Sequence, residues 1–248
     1  NYNLIFAATS DEENGSGLGL IPLLEKGILK PDQALVLDSE DFKIIVAQKG
    51  LIHLKVKIKG RKAHGAYPWL GLNAIDIAVK IISQLKDFSF RQQRHKYLRG
   101  PTVNVGTING GDKVNVVAGW CDFELDFRFL PRENAQEILK KLKSLIVRHS
   151  KNFKIEIQGI QKPFLIDRQH SLVRYFSSAV RSVGKKPIIS GSEGATTISF
   201  FQEKKIPAIA SGFGSEGCCH IADEYLKIDN LYKGAVVLEN FLKEYRFV

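Results

Sequence analysis

Apolar and polar positions along the chain fall into three kinds of run. Short runs that are apolar almost throughout, as buried strands are, occupy 4–9 (Leu4, Ile5 and Phe6 among them), 34–37 and 207–211. Strict alternation marks 51–60 and 114–129. In the second of these, Cys121, Phe123, Leu125, Phe127 and Phe129 take one face, and Asp122, Glu124, Asp126 and Arg128 take the other. Helical spacing marks 15–26, closed by Gly27 as a C-terminal cap, and then 73–85, 133–148, 171–183 and 229–245. Shorter strands are expected at 102–108, 153–157 and 187–190, and a helix at 194–202.

The order of these elements implies an architecture. Strand 4–9, helix 15–26 and strand 34–37 form a β-α-β unit, whose strands run parallel and whose ligands bind beyond the strands' carboxyl ends. Between 49 and 158 the order becomes β-α-β-β-α-β, the ferredoxin-like unit, and the first character then resumes. The sequence therefore predicts an α/β fold. One domain, formed by 1–48 and 159–248, has a mostly parallel central sheet, and an inserted α+β domain at 49–158 interrupts it.

Composition narrows the function classes. The net charge of +10 would suit nucleic acid, but the basic residues are scattered. Lys55, Lys57 and Lys59 alternate as the solvent face of a strand, and no aromatics interleave with them, so no nucleic-acid partner is expected. No apolar run approaches the ~20 residues of a membrane span, so no membrane partner is expected either. No signal-peptide pattern is present, and of three cysteines Cys218 and Cys219 are adjacent, poor geometry for an ordinary disulfide. A cytoplasmic location follows as the expectation. The chain has no methionine and opens in mid-strand, which reads as a piece of a longer protein.

The chemistry gathers at the strand ends. Asp11-Glu12-Glu13 follows the first apolar run directly. Such a triplet is either a solvated loop or a place where positive charge resides, as a metal or a proton in transit. Asp38 ends the run at 34–37, and His220 lies in the loop after 207–211. Taken singly, Asp38 reads equally as a helix cap and His220 as a loop histidine. Together, carboxylates and an imidazole at matching strand ends suit zinc, cobalt or manganese. Adjacent carboxylates also permit a division of labour, one binding metal while its neighbour accepts a proton.

Four stretches carry a family resemblance: TSDEENGSGL at 9–18, KGLIHLKVKIKGRKAHGAYPWLGLNAI at 49–75, NVGTINGGDKVNVVAGWCDFELDFR at 104–128 and GFGSEGCCHIADEY at 212–225. In this order they resemble the acetylornithine deacetylase, succinyl-diaminopimelate desuccinylase and glutamate carboxypeptidase family of co-catalytic zinc hydrolases. The resemblance implies Glu12 as general base, and Glu13, Asp38 and His220 as metal ligands. It implies His64 as the lid histidine that polarises the scissile carbonyl, and Asn115 and Arg128 around the substrate carboxylate. It further implies two divalent metals, zinc foremost with cobalt or manganese as alternatives, and a homodimer formed through the lid domain at 49–158.

The activity implied is hydrolysis of an amide next to a free carboxylate, in a deacylase of N-acyl amino acids. A di- or tripeptidase or carboxypeptidase of the same family is the alternative, and a decayed homologue that only dimerises or binds is the alternative of another class. Glu193 stands where the family has Asp, and no Arg follows it. The family's His-x-Asp motif and bridging Asp would lie upstream of residue 1, so the chain alone is expected to be inactive.

Overall fold

The computed structural model describes residues 2–92, 94–219 and 221–246. In chain order the elements are α1 (Leu20–Glu25), β1 (Ala34–Leu37), β2 (Lys43–Gln48), β3 (Gly50–Lys59), α2 (Ala74–Leu85), β4 (Thr102–Gly110), β5 (Trp120–Phe129), α3 (Ala135–Val147) and β6 (Phe153–Gln161). They continue with β7 (Phe164–Leu165), α4 (Ser171–Ser182), β8 (Ile188–Ser192), α5 (Ile198–Glu203), β9 (Ala208–Ser211) and α6 (Ile228–Glu244). They form two compact units. Asn1–Gln48 and Phe164–Val248 make the first, and Lys49–Pro163 makes the second. Among the described residues no helix is long and apolar enough to cross a membrane.

The sheet of the first unit is mixed. β1 runs parallel to β9, with Ala34 opposite Ala208 and Leu37 opposite Ser211. β2 runs parallel to β8 and antiparallel to β9 and β7. All four residues of β9 are buried, as a strand covered on both faces requires. On one side α1 and α5 supply Leu20, Leu24, Ile198 and Phe201 to a core with Ile45, Phe164, Ala208 and Ala210. α4 and α6 pack together through the rings of Phe176 and Phe241, 5.4 Å apart.

Two expectations for this unit change. Residues 4–9 form no strand, and Leu4, Ile5 and Phe6 are exposed, Phe6 by 86%. Apolar content alone does not make a strand, because a strand also needs a hydrogen-bonded neighbour, and no described strand pairs with this run. The helix expected at 15–26 is cut to α1. Asp11 and Ser16 both take left-handed φ values, 66° and 63°. Asp11 accepts the Ser16 amide on its carbonyl at 2.7 Å and the Leu18 amide on Oδ2 at 2.7 Å. That turn consumes the residues the helix would have used. The strand β2 was not expected at all: its apolar run lies immediately before β3, with one residue between them.

The second unit has sheet order β4-β5-β3-β6, antiparallel throughout, which is the ferredoxin-like order. Its apolar face carries Ile52, Leu54, Val56 and Ile58 of β3 and Phe123, Leu125 and Phe127 of β5. These pack on Ile77, Ala78 and Ile81 of α2 and on Ile138, Leu142 and Leu145 of α3. Asn73 caps α2 by accepting the Ile75 amide at 2.9 Å, and Asn134 caps α3 by accepting the Gln136 amide at 2.7 Å. β6 runs on to Gln161 instead of ending at 157, and β5 begins at Trp120 because 113–117 folds against the segment after β3.

The opposite face of this sheet is a lattice of cross-strand charges. Lys55 Nζ lies 3.1 Å from Glu124, and Lys57 and Lys154 each lie 2.8 Å from Glu156. Glu124 also accepts hydrogen bonds from Thr107 and Gln158 at 3.0 and 3.1 Å. The hydrogen bonds from Lys154 and then Lys57 pull the Glu156 carboxyl down from 4.5 to about 2. The folded state therefore binds this proton more weakly than the unfolded chain. Its contribution is complete above pH 4.5 and is lost as pH falls towards 2. Glu156→Gln should accordingly flatten the acid limb of a thermal melting profile between about pH 5 and 2. The effect will be small at this exposed site. Circular-dichroism melts at stepped pH are the measurement, and an unchanged acid limb would refute the assignment.

Candidate active site

Parallel pairing brings β1 and β9 to a common rim at their carboxyl ends. The segments that leave them are locked together. Asp41 and Phe42 donate their amides to the carbonyls of Gly214 and Gly212, both at 2.9 Å. Asn230 of α6 donates to Asp41 Oδ1 at 3.0 Å and to the Phe213 carbonyl at 3.3 Å. A Cβ on Gly212 would overlap the backbone of Ser39, so only glycine fits that approach.

Asp38 is the first residue beyond β1, and it is exposed. Its charge is among those acting on the Cys219 thiol. The thiol donates to Glu40 Oε1 at 3.2 Å, and the Gly217 amide donates to the same oxygen at 3.2 Å. That hydrogen bond to Glu40 is the main cause that pushes Cys219 up to about 11, with burial and the charges of Glu40, Glu224 and Asp38 adding to it. The Glu40 carboxylate thus serves the loop of Gly217 and Cys219 as an acceptor that ties it to the exit of β1. Glu40 lies two residues beyond Asp38 on the same chain exit.

Glu12 and Glu13 sit on the turn 12–15, and both side chains are exposed. Asp11, the third member of the triplet, is structural: its carboxylate holds the Leu18 amide. Among the described residues no three His, Cys, Asp or Glu side chains gather closely enough to hold a metal. Glu13 and Asp38 are therefore not brought into one such group, and His220 lies outside the described residues. The turn bearing Glu12 and Glu13 follows 4–9, the run that pairs with no described strand, so no ladder fixes it against the rim.

In the second unit the structure brings His64 and Asn115 together. The segment after β3 pairs with the turn before β5: His64 bridges Val116, Gly65 donates to the Asn115 carbonyl at 2.7 Å, and Val117 donates to the Ala63 carbonyl at 2.9 Å. The Ala66 amide donates to His64 Nδ1 at 3.0 Å. With Nδ1 an acceptor, the proton of the neutral ring is on Nε2, where it can be donated outward. Arg128 is not part of this corner. It pairs with Leu51 and Thr102, while Lys59 and Trp120 mark the end nearest His64. Eight residue steps of β5, about 26 Å, separate the two ends. Arg128 instead grips Asp126 through Nε and Nη2 at 2.8 and 2.9 Å.

Comparison with known proteins places this arrangement. Residues 46–154 match the M20 peptidase dimerisation domain. Over those residues, which are under half of its length, the chain is similar to the M20 family. It is 28% identical over 252 residues to an acetylornithine deacetylase of Vibrio atlanticus, covering 98% of this chain and 65% of that one. It is also 28% identical over 282 residues to a metallohydrolase of Methanococcus maripaludis, with the same two coverages. The chain thus spans 65% of the length of these relatives. Among solved structures, the aminopeptidase PepT of Bacillus cereus superimposes with a TM-score of 0.81 at 22% identity, covering 95% of this chain and 62% of that one. An M20 metallo-carboxypeptidase of Sulfolobus solfataricus gives 0.77 at 22% identity, with 94% and 68% covered.

Within the first unit the tightest constraint on the rim is the Gly212–Ser39 approach. Gly212→Ala should destabilise the first unit by about 1–3 kcal/mol, as overpacking does. Melting of the gene's full-length product should fall by about 5 °C. Gly159→Ala on β6 is the control, since a Cβ there meets nothing within 4 Å. Equal melting temperatures for the two variants would show that the rim is not locked as described.

Proposed function

We propose that the full-length protein is a metal-dependent amidohydrolase that cleaves the amide of an N-acyl amino acid, next to its free carboxylate. The observation that carries this reading is the corner at His64: a histidine whose Nδ1 is anchored to a backbone amide presents a donor Nε2 within a domain that matches the M20 dimerisation domain. The names of the sequence relatives, acetylornithine deacetylase among them, support a deacylase. The peptidase titles belong to structures of 22–24% identity and speak for the fold alone. The three cysteines are thiols, which suits a cytoplasmic location.

Glu13, Asp38 and His220 are the residues of this chain that would hold divalent metal, zinc foremost. When bound, such ions supply Lewis acidity and lower the pKa of water. Glu12 takes the proton from the attacking water as its oxygen forms the bond to the carbonyl carbon. It then returns that proton to the amine nitrogen as the C–N bond breaks. His64 donates Nε2–H to the carbonyl oxygen as negative charge develops on it. Asn115, beside His64, offers its amide to the substrate carboxylate. Arg128 would reach the carboxylate only by releasing Asp126. The chain assembles as a homodimer through 49–158, and the partner supplies the lid histidine.

Two experiments on the full-length gene product test this. Glu12→Gln should keep its metal and lose kcat by about 10²–10⁴-fold, whereas Glu13→Gln should lose metal as well. Metal analysis beside turnover of N-acetylornithine decides it, and equal metal loss in both variants would sink the division of roles. His64→Ala should depress turnover with metal content and melting temperature unchanged. Mixed dimers of His64→Ala and Glu12→Gln subunits should regain activity, and no recovery in verified mixed dimers would refute delivery in trans.

A further inference from the structure

The turn that carries His64 continues into an exposed aromatic ladder that the catalytic assignment leaves unused. The rings of His64 and Tyr67 lie 5.9 Å apart, and those of Tyr67 and Trp69 lie 5.7 Å apart edge to face. Tyr67 is 53% and Trp69 72% exposed, with Leu70 exposed beside them. Across the paired segment Val114, adjacent to Asn115, is fully exposed.

This surface is held rigidly. Tyr67 donates its amide to the His64 carbonyl at 2.8 Å, Leu70 donates to Tyr67 at 3.0 Å, and Gly71 donates to Pro68 at 3.0 Å. Arg61 Nε donates to the Leu70 carbonyl at 3.1 Å. Water-exposed aromatics on a fixed backbone lose little entropy on binding, and they mark a contact surface. Their continuity with His64 points to what the contact is with: a part of the substrate flanking the amide that His64 engages.

Charge decides the chemistry of that group. Aromatic faces accept either apolar groups or cations. Here the flanking residues are Arg61, Lys62 and Lys113, with Lys62 paired to Asp112 at 2.9 Å. A basic rim repels an ammonium and attracts a carboxylate. We infer that Tyr67 and Trp69 select substrates that carry an aromatic or large aliphatic group beside the scissile amide, rather than a cationic side chain such as that of ornithine. This inference rests on the amidohydrolase reading above and narrows its substrate class.

The test uses the full-length product loaded with zinc and compares kcat/KM for N-acetylphenylalanine, N-acetylleucine, N-acetylglycine and N-acetylornithine. The expected result is a preference of at least about tenfold for phenylalanine over glycine, of the size a buried aromatic contributes in a pocket. In Trp69→Ala that ratio should fall by about tenfold, mainly through KM. N-Acetyl-D-phenylalanine should change tryptophan fluorescence in the parent protein and not in Trp69→Ala. Hydrolysis that favours N-acetylornithine, or an apolar preference untouched by Trp69→Ala, overturns this inference and leaves the amidohydrolase reading standing. Hydrolysis of none of the four overturns that reading and this inference with it. Conversion of the dimer to a monomer by Trp69→Ala, seen by light scattering, would assign the ladder to subunit contact and overturn it equally.

Discussion

Parallel pairing of β1 with β9 is the constraint from which the first unit's chemistry follows. Two parallel neighbours must end on the same side of a sheet, so Asp38 and the loop 212–219 leave from one rim. The rest is close approach. Gly212 lies against Ser39 with no room for a side chain, two backbone hydrogen bonds tie 41–42 to 212–214, and Asn230 staples Asp41 to the Phe213 carbonyl. None of these contacts touches a substrate. They fix the course of the two chain exits that carry Asp38 and Glu40.

The second unit solves a different problem by a different rule. Its chemistry lies beyond the end of a hairpin sheet, where the segments after β3 and before β5 continue to pair as isolated bridges. Gly65 is needed there because a Cβ would come within 3.0 Å of the Asn115 backbone. The imidazole of His64 is oriented by a bond two residues along its own chain, to the Ala66 amide. The orientation of the ring is therefore set within the turn, and pairing with 115–117 holds that turn in place.

Much of this was legible in the residues, and the reasons for the failures are physical. Alternation in 51–60 and 114–129 had one consistent face each, so β3 could be read almost to the residue and β5 apart from its start, which lies six residues later at Trp120, and with them the ferredoxin-like order. β1 and its terminal Asp38 were equally plain, bounded by polar residues at both ends. Residues 4–9 misled because hydrophobicity reports burial preference, whereas a strand also needs a neighbour's hydrogen bonds. The helix at 15–26 was overextended because local bonds from Asp11 compete with helical ones, which periodicity does not register. The role of Asn115 beside His64 came only from resemblance, since register between a turn and a distant loop is invisible in a linear pattern. Arg128 showed the reverse: resemblance set it at the substrate carboxylate, whereas the structure pairs it with its strand neighbour Asp126.

The charge lattice on the outer face of β3, β5 and β6 has a consequence for how this chain can vary. Each member faces an opposite charge: Lys55 meets Glu124 and Lys57 meets Glu156 across the strands, and Arg128 meets Asp126 two residues back along β5. Reversing one sign would set like charges side by side, while reversing both restores attraction. These positions are thus free to drift as couples and restrained as individuals. Pairs of substitutions that accompany one another across β3, β5 and β6 are the trace such a lattice leaves in a set of diverged sequences. The apolar face beneath, where volume and not sign is the constraint, would leave no such trace.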